Sequence, residues 1–168
     1  MLLNDVYDYK NQLIEDMMTD AEIVNLIRPG TSLEDAKDLI YTQVFPFDYV
    51  PDTTEEAKTY VCCEVNVKKS LGSKTYYAPT IYIWTFTHKS LMRLPEGGTR
   101  IDRICSRVNE LINGSYMYGL GKLDFMTASH FSPMMDYNGK FMTFEATEFN
   151  NLSPTRQPIP SNRKDPTR

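Results

Sequence analysis

The sequence predicts an α+β fold: a mainly antiparallel sheet of about four strands, with an N-terminal helix and a central amphipathic helix packed on one face. Three observations carry this. Ile101, Ile104, Cys105, Val108, Leu111 and Ile112 recur at three- and four-residue spacing, the mark of a helix with one buried face. Residues 60–68 and 77–87 alternate with a period of two, the mark of strands. The strands also come in hairpin-like pairs, 60–68 with 77–87 and 122–130 with 140–149, and sequential pairs of this kind favour antiparallel neighbours.

Taken in order, Val6, Leu13, Ile14 and Met17 favour one face of a helix, and Thr19 with Glu22 has the form of a capping box. Ile23, Leu26 and Ile27 continue the stripe to Arg28-Pro29-Gly30, a firm stop. The expectation is one long helix broken near Thr19, or two short ones, with a further helical turn or two over 32–39. Residues 41–58 read as an extended arm. Phe45, Phe47, Tyr49 and Val50 alternate with polar residues and prolines, and Pro46 and Pro51 each remove a backbone donor, which excludes a central strand. The aromatic side of this arm either caps its own core or reaches a neighbouring subunit.

In the first strand Val61, Cys63, Val65 and Val67 face one way and Cys62, Glu64, Asn66 and Lys68 the other. The second has Tyr82, Trp84 and Phe86 on one side and Ile81, Ile83, Thr85 and Thr87 on the other. Both sides are at least half apolar, so it is expected to be the central strand, with Trp84 buried. The Leu94–Gly98 loop, which follows Arg93, leads to the helix of 99–113, with Thr99 as N-cap and Gly114 at C′. Arg100, Asp102, Arg103, Arg107 and Glu110 cover its other side, which reads as a solvated face. Asp136-Tyr137-Asn138-Gly139 reads as the hairpin turn between the last two strands. These elements form one domain, 1–149, and the Pro-rich segment 150–168, with little apolar content, is expected to be a flexible tail that does not fold by itself.

Composition excludes several classes. No apolar run is long enough for a membrane span, and the first residues lack the basic start and apolar run of a secretory signal. Cys62, Cys63 and Cys105 are odd in number and form no CxxC pair, so they read as reduced, small hydrophobes. The segment 150–168 carries Arg156, Arg163, Lys164 and Arg168 against Asp165, a net +3, which with −4 overall leaves −7 on residues 1–149. An acidic body with a basic tail suits assembly, the tail docking on an acidic neighbour or touching nucleic acid.

A search for chemistry finds little. His88 and His130 each stand at or near a strand end, with no HExxH or HxH spacing and no GxSxG elbow. A hydrolase would have to gather Asp124, Asp136 or Ser129 around one of them. Gly119-Leu120-Gly121-Lys122 is not a P-loop: Tyr116 stands where the first glycine is needed and Leu123 where Ser or Thr is needed. No enzyme activity, metal or cofactor is expected.

The segment order, together with the stretches YTQVFPFDYVPDTTEEAKTYVCCEVNV and IYIWTFTHKSLMRLPEGGTRIDRICSRVNELI, resembles the tail terminator (tail completion, head–tail joining) proteins of long-tailed bacteriophages over roughly residues 1–149. The resemblance implies a structural virion protein assembled in the host cytoplasm. It would form a ring, typically a hexamer, at the head-proximal end of the tail tube. Its partners would be further copies of itself, the tail tube protein and the head-side connector, with DNA passing through the lumen without specific binding. Candidate interface residues are Phe45, Phe47, Tyr49, Arg93, Arg156, Arg163, Lys164 and Arg168. A head-closure or neck adaptor of the same virion is the alternative, and a small cytoplasmic hydrolase a more distant one.

Overall fold

The computed structural model describes residues 3–51, 56–69, 76–118, 122–146 and 148–149. The expected Pro-rich tail lies outside these, with Arg156, Arg163, Lys164 and Arg168. Two helices open the chain, α1 (Leu3–Thr19) and α2 (Ala21–Ile27), followed by a 3₁₀ turn over Ala36–Leu39 and a short strand β1 (Val44–Phe45). Two long strands come next, β2 (Thr59–Lys69) and β3 (Tyr76–His88). Helix α3 (Arg100–Ile112) leads to the hairpin of β4 (Asp124–Met134) and β5 (Tyr137–Glu145), and β6 (Glu148–Phe149) closes the described chain.

The sheet runs β1-β2-β3-β5-β4, with β6 also pairing with β3. The expected long strands are β2, β3, β5 and β4, all joined antiparallel, with Trp84 opposite Cys62 on one side and Phe141 on the other. The sheet is mixed, however, because β1 adds parallel to β2, Val44 lying opposite Val61. Pro46, directly after Phe45, has no N–H to continue the ladder and stops this strand after two residues. The last expected strand is also interrupted, since pairing passes from β5 to β6 around Ala146.

The helices cover one face of the sheet. Leu13, Met17, Ile23, Val24, Val61, Cys63, Ile81, Ile83, Ile104, Val108, Met142 and Phe144 make the main core there. The N-terminal helix is two helices, and the cap is Asp20 instead of Thr19. The Asp20 carboxylate accepts from the backbone N–H groups of Glu22 and Ile23, while the Thr19 hydroxyl donates back to the carbonyl of Asp16. Thr99 caps α3 as expected, accepting from the Asp102 N–H at 3.1 Å, and Gly114 follows the helix with φ +81°.

Three further expectations change. The turn between β4 and β5 is Met135-Asp136, and Tyr137, Asn138 and Gly139 belong to β5. Asn-Gly reads as a turn signal because glycine tolerates turn dihedrals, but Gly139 serves a close approach: an added Cβ would lie 2.3 Å from the Thr85 carbonyl oxygen and 2.7 Å from the Phe86 Cβ. The charged side of α3 is not merely solvated. Buried Arg100 donates to the carbonyls of Leu26 and Leu91, and Arg103 and Arg107 reach the acids of α2. Trp84 sits on the face away from the helices and is only half-buried, whereas Phe86 on the same face is fully buried.

That second face has its own small cluster of Phe45, Tyr60, Cys62, Phe86 and Tyr137. The arm lies against it, with Phe45 stacked on Tyr49 at 3.9 Å and the Cys62 thiol directed at the Tyr49 carbonyl. Cys62 is thus buried on the face that sequence alternation assigned to polar residues. Burial pushes the Cys62 and Cys63 thiols up to about 12 and Cys105 up to about 11, which leaves all three protonated and inert.

Candidate interaction surfaces

The sheet has two unlike ends: β4 at one, and at the other β1, whose Val44 is also bridged by Ile40. Among the described residues β4 is bonded to β5 on one side only. Every residue from Asp124 to His130 is exposed, on both faces of the strand. On the helix side the cause is the width of the helix layer: α1 and α2 lie over β2, and α3 packs on β3 and β5. Phe125 meets Phe144 edge-on at 5.6 Å yet stays 41% exposed, and Met126 is 55% exposed. A groove of about 470 Å³ runs between α3 and this strand, walled by Cys105, Asn109, Phe125, Lys140 and Met142. The side-chain oxygen of Asn109 is buried there with no hydrogen-bond partner among the described residues. Edge strands are usually protected by lysines or bulges. The sequence of β4, DFMTASHFSPM, has no lysine, and the register shifts fall only toward its ends, between Phe125 and Thr127 and between Phe131 and Met134. The stretch 127–131 remains a regular strand, with one side unpaired among the described residues.

The opposite end is built from the arm and α1. Gln43 is buried and donates to the carbonyls of Ile27 and Thr59, which fixes the arm to both layers. Tyr41 takes φ +63°, an uncommon value for a residue with a side chain, and its ring is directed outward against Phe47 at 6.4 Å. Tyr7, Tyr41, Phe47 and Val50 all stand largely exposed on these segments. Of the interface residues expected from the sequence, Phe45, Phe47 and Tyr49 come together here, with Phe45 taken into its own subunit's cluster and Phe47 exposed. Arg93 is exposed in the loop before α3 and forms an isolated bridge with Thr99. The sequence places this strand, over 122–130, but does not mark it as an exposed edge, because its alternation of apolar and polar residues looks like that of a half-buried strand.

The histidines are placed apart. His88 caps the 3₁₀ turn over Lys89–Leu91, its Nδ1 lying 2.7 Å from the Ser90 hydroxyl. His130 lines a shallow recess with Asp102 and Lys140, whose charges pair with each other. Ser129 precedes His130 on the strand and therefore points to the other face, and Asp136 pairs with Lys89. Among the described residues no group of three or more His, Cys, Asp or Glu side chains gathers to hold a metal. Nor is any helix among them long and apolar enough to cross a membrane.

A family model named YomW matches residues 7–146, which takes in both helical segments, the arm and the whole α3–β4–β5 unit. The chain belongs to the YomW family. The name is of a phage-derived type, which marks the protein as phage-related. No curated protein matches the chain.

Proposed function

We propose that this chain is a structural virion protein, a ring-forming subunit at the head-proximal end of a phage tail tube. It ends tube polymerisation and joins the tail to the head-side connector. In this reading it performs no chemistry. The observation that carries the proposal is the pair of unlike surfaces, the β4 edge at one end of the sheet and the exposed Tyr7, Tyr41, Phe47 and Val50 side chains at the other. A ring needs two different surfaces on each subunit, because its contacts are head-to-tail and close by rotation. Exposed aromatic and methionine side chains are the residue types enriched where proteins meet. The net charge of −7 on residues 1–149 would keep DNA passing through a lumen from binding its wall. The phage-related family fits a role in the virion, with assembly in the host cytoplasm.

Electron microscopy of particles assembled without this protein tests the proposal. Tubes of uncontrolled length are the expected result. Tails of normal length that fail to join heads would instead make it a neck adaptor. Normal particles would end the virion reading.

A further inference from the structure

We infer that the chain's own C-terminal segment, through Pro158-Ile159-Pro160, packs on a row of aromatic rings on the sheet face away from the helices. The row consists of Tyr82, Trp84 and Phe141. Tyr82 and Trp84 lie 6.0 Å apart, Trp84 and Phe141 5.4 Å, and Tyr82 and Phe141 5.8 Å. All three are half-buried, so each leaves ring surface open beyond the Phe45–Tyr137 cluster. Lys68 approaches the Tyr82 ring at 5.8 Å from its centroid, which sets a cation at one margin of the row.

The place where the described chain ends points to the occupant. Phe149 pairs with Tyr76 and Glu148 with Tyr77, antiparallel, so the described chain ends beside the start of β3, the strand that bears Tyr82 and Trp84. At about 3.3 Å per residue these rings lie roughly 20 and 26 Å further along β3. Pro158 to Pro160 can reach roughly 28 to 34 Å from Phe149 at about 3.1 Å per residue, enough to turn back and lie over the rings. The chemistry fits as well. Proline-rich segments dock on aromatic-lined surfaces because their backbone is already restricted and little entropy is lost on binding. Ile159 is the one aliphatic side chain between Leu152 and the end of the chain, and prolines flank it on both sides. Arg156 precedes it, and Glu145 stands on the same face opposite Thr80, between the exit point and the rings. The Thr80 hydroxyl donates to Glu145 Oε1 at 3.3 Å and Lys68 reaches the same oxygen at 3.8 Å, so Oε2 can receive the arginine. The net +3 of the segment against −7 on residues 1–149 favours the same return. The inference is independent of ring formation.

Trp84 is the only tryptophan, so its fluorescence reports on the row directly. The comparison is between the full chain and the full-length variant Pro158→Ser, Ile159→Ser, Pro160→Ser, with far-UV circular dichroism to show that both fold alike. The variant is expected to emit at longer wavelength and to be quenched more strongly by acrylamide, at every protein concentration. Trypsin should also cut after Arg156 faster in the variant. Identical emission and quenching in the two chains would overturn the inference. So would a difference that appears only as concentration rises through self-association, which would assign the rings to a neighbouring copy's segment.

Discussion

One carboxylate joins two helices: Asp20 caps α2 with Oδ1 and accepts from Arg107 of α3 with Oδ2, at 2.9 Å from Nε and 2.8 Å from Nη2. Arg107 also reaches Glu110 and Glu22, and Arg103 reaches Glu22. The bond between α2 and α3 is therefore a network centred on a side chain that is almost wholly buried. Burial works to raise the Asp20 carboxyl, but the Arg107 bond and the backbone N–H donors outweigh it and hold it below the ordinary carboxylate range.

Asp20→Ala removes both the cap and the clamp, and is expected to cost about 1–2 kcal/mol in a denaturant titration. Asp20→Asn is expected to cost less than this, because its amide oxygen can still accept from the α2 backbone.

The same network sets a response to acid. A carboxylate whose folded pKa is depressed contributes stability above its unfolded value, and that contribution is lost as pH falls through the folded value. Asp102 acts in the same direction, held down by Lys140 and then by Thr99. The wild-type chain should lose stability as pH drops below about 4, and Asp20→Asn should flatten that loss. Thermal midpoints measured across this range decide it. Parallel curves for the two chains would show that Asp20 does not carry the effect.

Gly139→Ala is expected to destabilise by about 1–3 kcal/mol, since the new methyl group meets the backbone of β3 and either the strand pair or the Phe131 ring must shift. A turn glycine with ordinary dihedrals would tolerate the change. Chemical denaturation separates these outcomes.

Phe86→Ala and Trp84→Ala should differ although both residues lie on one face of one strand. Phe86 is 0% exposed, and its loss should cost about 3–5 kcal/mol. Trp84 keeps part of its ring open, and its loss should cost less than about 3 kcal/mol. Equal costs in the same denaturant assay would mean that Trp84 is covered as fully as Phe86.

Thr127→Lys with Ser129→Lys places two charges on the regular part of β4. Both positions are exposed, so the melting temperature should hardly change. Self-association, followed by analytical ultracentrifugation, should be lost if β4 is an assembly edge. An unchanged size distribution would count against that role.

Much of the fold was legible from the sequence, for a local reason. The stripe Ile101, Ile104, Val108 and Ile112, the Thr99 cap and the alternation in 60–68 and 77–87 are written in neighbouring residues, and neighbouring residues fix helix and strand period. The α+β class and the long strands followed from that. What each element meets is a non-local matter, and there the tertiary structure decided. Asn138-Gly139 became strand because Phe86 and Phe131 needed room beside it. Asp20 replaced Thr19 as cap because Arg107, distant in sequence, shares its carboxylate. Cys62 is covered and Trp84 only half-buried, although they are direct cross-strand partners, because the arm lies on the β2 side of the outer face, against Cys62 and Tyr60. The exposure of β4 has the same origin: its residues alternate like those of a covered strand, and on the helix side the limited width of the layer over β2, β3 and β5 leaves them open.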